Sequence, residues 1–583
     1  MSRPPLLSAV TALALLLVSA SATPPQIPLL SNVDSSAPVA APTREYSGRF
    51  LHITDMHLDP YYQEGATITS ACHWLPEAEK GERPVFGPRR KQGKEGIAGR
   101  YGAAGSGCDS PLALVNETMR FVHDVLRPKG IDFVVWTGDS ARHDSDAAIA
   151  RTPSDIKSIN ALAVEYLLQT FLQPSDSAGE AQTVPIIPNI GNNDIWPHND
   201  LAFTSGRTNP TLRFYSVLWA RFIPKEQIPG FLEHGNFVVE PTPGVLVASI
   251  NTMYLSDANR MVGDCDPKGF EGNAPVRAGD VVLHWLKKKV LERARKEGKV
   301  AYLIGHVPPN PLNYFDNCYE SFAHLMIEYS EEVVGQFYGH MNIDHFFFSS
   351  SIIPVGKNRA TTVESAGYRS VLKATKPDFS LPMAPRGSLL GRVFSALIPS
   401  WINLYYHYLM THYKHLAHQH AKDPSLRTLH PIFVAPSVVP TFNPGLRTFS
   451  YHRGNVTVAY QAGNVTVTNH PGDAKSMWGA KRRSRSVRRG ELVGYTQYYA
   501  DIERWNSEGL EENAEFPGYL FETSYEPGDE YDFGGDRFDK ETWVGFGARM
   551  TGVGGGNREA ERLKKLFAAN LVVKLGGVEV KDF

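Results

Sequence analysis

Six short apolar runs, dense in β-branched and aromatic residues, recur between residues 49 and 338. They are Arg49-Phe-Leu-His-Ile-Thr54, Ile131-Asp-Phe-Val-Val-Trp-Thr137, Val184-Pro-Ile-Ile-Pro-Asn-Ile190, Val245-Leu-Val-Ala-Ser-Ile250, Lys299-Val-Ala-Tyr-Leu-Ile304 and Val333-Val-Gly-Gln-Phe-Tyr338. Runs of this length without strict polar alternation predict strands buried on both faces. Residues 112–126, 155–172 and 278–297 instead space their apolar positions as helices do. Strands that alternate with helices predict an α/β architecture.

The pattern breaks at residues 375–427. An apolar and aromatic stretch, Leu389 to Met410, precedes His412, His415, His418 and His420. This predicts an amphipathic insertion helix packed on the core, with a membrane-surface or partner-binding helix as the alternative. The four histidines lack accompanying carboxylates and do not read as a metal site. Strand-like text resumes at Ile432-Phe-Val-Ala-Pro and runs through Val456-Thr-Val-Ala-Tyr460, with Asn443-Pro-Gly-Leu-Arg as a turn between. These are expected to be late strands returning to the same sandwich. A basic loop spans 471–490, centred on Lys481-Arg-Arg-Ser-Arg-Ser-Val-Arg-Arg489, and the chain turns acidic and aromatic from about 501. The expected organisation is a signal or anchor segment at 1–22, a disordered spacer at 23–45, one main domain at 46–505 and a C-terminal extension at 506–583.

The N-terminus sets the compartment. Arg3, the apolar stretch Leu6 to Val18 and Ala20-Ser21-Ala22 read either as a cleaved secretory signal or as an uncleaved single anchor. Both place the remainder in a lumen or outside the cell. Residues 23–45 are rich in Pro, Ser and Ala and too poor in apolar side chains to order themselves. The chain has four cysteines, and an even count in a translocated chain predicts two disulfides. Proximity in sequence favours Cys72–Cys108 and Cys265–Cys318 among the three connectivities. Asn116, Asn455 and Asn464 each open an N-x-T glycosylation triplet. A net charge of −2 over 583 residues gives no global preference for polyanions or membranes. No nucleic-acid partner is expected, because the basic stretches carry no interleaved aromatics for base stacking.

The chemistry gathers where the predicted strands end. Asp55-Met-His57, Gly138-Asp139, Gly191-Asn192-Asn193-Asp194, Gly305-His306 and Gly339-His340-Met-Asn342 follow in that order. Carboxylates, amide oxygens and imidazoles without thiolates suit Mn, Mg, Zn, Fe or Co. The set is large enough for two divalent ions that share a carboxylate, the usual clamp for in-line displacement at phosphorus with the ions about 3.5–4 Å apart.

In order and identity these motifs resemble the calcineurin-like metallophosphoesterase superfamily. The resemblance implies a four-layer α-β-β-α sandwich with insertions and a dinuclear metal site at one edge. It implies Asp55, His57 and Asp139 as ligands of one ion, and Asp139, Asn192, His306 and His340 as ligands of the other. The superfamily places a second imidazole where this chain has Asn342, so an amide oxygen would complete the first site. Phe50-Leu-His-Ile-Thr-Asp-Met-His-Leu-Asp59, Gly305-His306-Val-Pro-Pro309 and Asn443-Pro-Gly resemble the acid-sphingomyelinase-like branch. No saposin-like cysteine-rich segment accompanies them. Asp55-Met-His57-Leu-Asp-Pro-Tyr-Tyr, Gly191-Asn-Asn-Asp194 and Gly339-His-Met-Asn-Ile-Asp-His-Phe346 resemble the fungal endopolyphosphatases, over roughly residues 45–370 and 430–505. That implies cleavage of internal bonds of inorganic polyphosphate in the vacuole, with a single-pass type II anchor, a lumenal catalytic part and maturation by processing proteases. The alternative location is secreted, or soluble in the vacuolar lumen.

One departure bears on the substrate. The superfamily motif is Gly-Asn-His-Asp/Glu, and its His protonates the leaving oxygen, whereas this chain has Asn193. Esters expel an alkoxide that needs a general acid. Anhydrides expel a phosphate whose conjugate acid has a pKa of about 6 and needs little help. Asn193 and His198 are the candidate catalytic residues. His198 is either a substitute acid or a loop histidine. Arg89, Arg90 and Lys91, in the basic stretch Lys80 to Arg100, are candidates to hold a polyanion, against a solvated loop. The rival functions are a lipid or nucleotide phosphodiesterase and a non-catalytic polyanion-binding protein.

Overall fold

Each of the six runs forms a strand, and the sequence between them supplies the crossovers. The computed structural model describes residues 47–75, 96–171, 184–349 (without 205, 207, 269 and 271–275), 389–422, 430–468 (without 455, 462 and 463), 483–508, 518–533, 538–552 and 556–574. The segments 1–22 and 23–45, Arg89, Arg90, Lys91, Asn455 and residues 471–482 of the basic loop lie outside the described residues.

Twelve strands build a sandwich. They are β1 (Ser47–Ile53), β2 (Phe133–Trp136), β3 (Ile186–Pro188), β4 (Phe237–Thr242), β5 (Val245–Ser249), β6 (Val300–Ile304), β7 (Val333–Tyr338), β8 (His345–Phe348), β9 (Pro431–Val434), β10 (Gly445–His452), β11 (Leu492–Ala500) and β12 (Phe521–Tyr525). One six-stranded sheet has the order β12-β11-β10-β1-β2-β3, the other β8-β9-β7-β6-β5-β4. β1, β2 and β3 are mutually parallel, as are β5, β6, β7 and β9; the outer pairings are antiparallel. The parallel strands β2, β5, β6 and β7 are buried at every position, as their unbroken apolar runs require.

Phe50 marks where the sheets meet. Its ring lies 4.8 Å from Phe133 and 5.1 Å from Phe449 in its own sheet, and 5.1 Å from Phe337 across the interface. Such ring pairs contribute roughly 0.5–1.5 kcal/mol each beyond the burial of area. Helices line the outside: α1 (Leu112–Phe121), α2 (Pro153–Phe171), α3 (Ala278–Trp285) and α4 (Asp316–Glu328). In α2 the buried Ile156, Ile159, Ala163 and Leu167 repeat at three- and four-residue spacing and form the core-facing stripe. The architecture is the expected α/β sandwich with flanking helices.

Within the insertion, Leu389–Lys422 form one long helix, α5. Tyr405, Leu409 and Tyr413 are buried, and the Tyr405 hydroxyl lies 2.8 Å from His345 Nε2. This is the core-packed form. Burial pushes the His412 imidazole down to about 4, and its Nε2 accepts from the Phe348 N–H. No helix among the described residues is long and apolar enough to cross a membrane.

The C-terminal stretch is part of the same body, since residues 46–583 make one compact unit. β12 extends the first sheet. Two helices, α6 (Lys540–Met550) and α7 (Asn557–Leu571), bring Trp543, Phe546 and Phe567 around Phe346 of β8. One expectation fails. Val456–Gln461 does not return to the sandwich but pairs with Asn464–Thr468 and with Arg483–Val487 in a separate three-stranded sheet. The return is made by Gly445–His452, so the expected turn at Asn443 is the doorway of a strand. Both disulfides form as proximity suggested, Cys72–Cys108 and Cys265–Cys318.

Candidate metal centre

Five parallel strands deliver the five motifs to one edge: β1 ends before Asp55, β2 before Asp139, β3 before Asn192, β6 before His306 and β7 before His340. Ligands beyond the carboxyl ends of strands occupy the usual site of an α/β sheet. The chain must reverse sharply there. Asp55, His57, Asp139, His340 and Asn342 all take positive φ, between 38° and 70°. For residues other than glycine this costs on the order of 1 kcal/mol each, and such outliers gather at functional sites. Glycines make the crossings fit. A Cβ at Gly191 would overlap Asp139 Oδ1, and one at Gly339 would overlap Thr54 Oγ1 and Asp55 Oδ2.

The ligands fall into two overlapping cups. Asp55, His57 and Asp139 offer ligand atoms within 4.8 Å of one another, as do Asp139, His306 and His340, so Asp139 is common to both. Asn192 joins the second cup, its Oδ1 lying 2.7 Å from His306 Nε2 and 2.9 Å from His340 Nδ1. The donor chemistry fits metal ions. His57 Nδ1 faces the Ala141 carbonyl at 2.9 Å and His306 Nδ1 faces the Thr137 carbonyl at 2.8 Å. Each carbonyl accepts the Nδ1–H and so turns Nε2 towards the cup, the arrangement seen behind metal-bound imidazoles. His57 Nε2, 3.4 Å from Asp139 Oδ2, and Asn342 Oδ1 are buried and have no hydrogen-bond partner among the described residues. Two buried polar atoms left unpaired at the same edge would be costly unless a cation completes them.

Charge points the same way. Burial pushes the Asp139 carboxyl up, but the His306 and His57 imidazoles and the Asn193 amide outweigh it and hold it well below the usual carboxylate range. Burial pushes the His57 imidazole down, yet Asp55, Asp139 and Asp109 leave it raised to about 9. His306 is likewise raised to about 9, mainly by Asp139 against burial.

A supporting shell holds the cups. Asp194 accepts the N–H groups of Asp139, Ser140, Ala141 and Gly191 at 2.7–3.0 Å, and the Asn160 amide of α2 at 3.1 Å. It shapes the loop that aims Asp139. Asn193 is buried, and its amide is spent on its neighbours: Nδ2 donates to Asp139 Oδ2 at 2.8 Å, while Oδ1 accepts from Arg151 Nη1 at 3.2 Å. His198 stands beside the cup, half-buried, with Nε2 at 2.7 Å from Asn192 Nδ2. Nε2 is there an acceptor, so His198 turns the Asn192 amide oxygen towards His306 and His340.

Three supporting residues escaped the sequence reading. His143 stacks on His57 with ring centroids 4.0 Å apart, and its Nδ1 and N–H both meet the Asp109 carboxylate, at 2.6 and 2.7 Å. Arg151 lies just ahead of α2. Only His143, four residues beyond Asp139, carried a signal of proximity. Asn116 sits within α1 with its Oδ1 buried, and Asn464 opens a strand of the small sheet.

Comparison with known proteins adds an independent line. The family model for the calcineurin-like phosphoesterase matches residues 48–344. The chain is similar to an endopolyphosphatase of Cryptococcus neoformans, with 34% identity over 77% of this chain and 66% of that one. It is similar to endopolyphosphatases of Saccharomyces cerevisiae, with 40% identity over 52% and 41% of the two chains, and of Schizosaccharomyces pombe, with 37% over 52% and 48%. The matched stretch thus spans less than two thirds of each of these relatives' own length. A dimetal phosphatase from Danio rerio aligns with 9% identity and a TM-score of 0.32 over 70% of this chain and 95% of that one, too slight a likeness to bear weight.

Proposed function

Since the chain belongs to the calcineurin-like phosphoesterase family, we propose that it is a two-metal hydrolase of phosphoanhydride bonds that cuts within inorganic polyphosphate. The observation that carries this reading is position 193. The Asn193 side chain is held by Asp139 and by Arg151, and a carboxamide N–H is far too weak an acid to protonate a leaving group. His198 offers its Nε2 as an acceptor to Asn192. An alkoxide could not leave unaided, but a phosphate of pKa about 6 could. The relatives named endopolyphosphatase support the same substrate.

Two divalent ions held in the cups supply Lewis acidity and a water acidified towards neutral pKa. The remaining work belongs to the chain. Asp139 joins the cups, Asp55, His57 and Asn342 complete one, and Asn192, His306 and His340 complete the other. With two carboxylates against two divalent cations, a positive surplus remains to draw in an anionic chain. The oxygen and imidazole donors fit Mn, Mg, Zn, Fe or Co. The two disulfides fit an oxidising compartment, and we propose a lumenal catalytic part anchored in the vacuolar membrane through residues 1–22.

One observation favours a second reading. The imidazole of His143, held by Asp109 against His57, is a second candidate proton donor beside the cups. Parallel rates on polyphosphate and on bis-p-nitrophenyl phosphate, for the native chain and His143→Ala, separate the two. Faster polyphosphate cleavage that survives His143→Ala supports the anhydride reading. Dominant ester cleavage that disappears with His143 overturns it.

A further inference from the structure

Arg151 is a buried cation whose one part in the chemistry above is its contact with Asn193. It is 1% exposed, lies ahead of α2 and belongs to no metal-ligand motif. Taking a guanidinium out of water is costly unless its charge and its N–H groups are used. Burial pushes the Arg151 guanidinium below its ordinary range, although Asp144, Asp139 and Asp194 lie close enough to oppose this. Its Nη1 grips Asn193 at two points, the backbone carbonyl at 2.7 Å and the side-chain Oδ1 at 3.2 Å, and also meets the Arg142 carbonyl at 3.2 Å. Its Nε and Nη2 are buried without hydrogen-bond partners among the described residues, so the contacts it does make there centre on Asn193.

That grip has a consequence one bond further on. An amide gripped at both carbonyl oxygens cannot turn, so Asn193 must present Nδ2 to Asp139. Asn193 then donates twice to the carboxylate, N–H to Oδ1 at 2.7 Å and Nδ2 to Oδ2 at 2.8 Å. Oδ2 is also the atom that both cups face, 3.4 Å from His57 Nε2 and 3.2 Å from His306 Nε2. Resting on the two-metal reading of the site, we propose that Arg151 is a positioning residue for the dinuclear centre: it locks the Asn193 amide so that one N–H stays on Asp139 Oδ2 and the carboxylate is fixed to bridge the two cups. The imidazole that the superfamily motif places at 193 has no carbonyl for a guanidinium to hold, so Asn193 and Arg151 form a pair.

The test is a calorimetric titration of Mn2+ into metal-free protein for the native chain, Arg151→Met, Arg151→Lys, Asn193→Leu and the double variant Arg151→Met/Asn193→Leu. Loss of a residue behind a metal ligand weakens affinity by roughly 10–100-fold. Arg151→Met and Asn193→Leu should each weaken Mn2+ binding by that factor. Arg151→Lys, which keeps a donor, should lose less. The double variant should be no worse than the poorer single, because Arg151 acts through Asn193. Unchanged affinity in Arg151→Met overturns the proposal, and so do losses that multiply in the double variant. If Arg151→Met does not fold, Asn193→Leu and Arg151→Lys decide: native affinity in Asn193→Leu, or a loss in Arg151→Lys as large as in Asn193→Leu, overturns it. A native chain that does not bind two ions refutes the two-metal reading itself, a separate result.

Discussion

Metal binding at this site should expel protons. In the metal-free chain His57 and His306 are raised to about 9, because Asp139 and its neighbours outweigh the cost of burial. At pH 7 a group of that pKa is roughly 99% protonated, and a protonated imidazole cannot bind a metal. Loading both cups at pH 7 therefore releases about two protons. The combined affinity for the two ions should rise about 100-fold from pH 7 to pH 8, worth roughly 2.7 kcal/mol at 1.36 kcal/mol per proton per pH unit. It should level off above about pH 9. Imidazoles at their ordinary value near 6.5 would give a nearly flat response over the same interval. Titrating Mn2+ at pH 7 in two buffers of different ionisation heat counts the protons directly. Release of less than about half a proton would refute the charge pairing described here. Stability has the opposite sign. Raised imidazoles stabilise the metal-free fold fully below pH 6.5, and that contribution is lost as pH climbs through about 9. Melting temperatures of loaded and metal-free protein should therefore diverge as pH rises across that window.

Two further expectations follow from the packing. Gly191→Ala should place its Cβ against the backbone N and Oδ1 of Asp139 and displace the turn that carries the shared carboxylate. Metal content should fall and activity drop on the order of 100-fold with the circular dichroism unchanged, and native metal content in that variant would contradict the geometry. Asp344→Ala should strand the fully buried Arg447, which Asp344 Oδ1 meets at 2.5 Å, and cost about 3–5 kcal/mol in urea unfolding. A loss under about 1 kcal/mol would mean that Gln497 and the face of Tyr495 satisfy the guanidinium alone.

Much of this was legible in the chain, for physical reasons. A strand buried on both faces must be apolar throughout, so the six runs declared themselves, and the ligands could be read because each sits where its strand stops. The disulfide pairing followed from short separations. What could not be read arises from contacts between segments far apart in sequence. Arg151 and Asn193 are 42 positions apart, Asp109 and His143 are 34 apart, and nothing local marks either pair. Val456–Gln461 is expected in the sandwich because alternation specifies a strand but not its partner; it forms a hairpin with Asn464–Thr468 and pairs with Arg483–Val487 from the basic segment. In the C-terminal extension Trp543 and Phe546 share one helix and Phe567 lies in the next, and sequence alone does not say which strand they cover. Folding brings Trp543, Phe546 and Phe567 onto one face over Phe346.

The proposed reaction is cleavage of anhydride bonds inside a polyphosphate chain at a centre joined by Asp139. The most direct test is a gel of long-chain polyphosphate incubated with purified protein and Mn2+ or Mg2+, beside an Asp139→Asn control. The expected result is progressive shortening through intermediate lengths, absent in the control. An unchanged ladder from protein that carries two metal ions would contradict the assignment and turn attention to phosphodiester substrates.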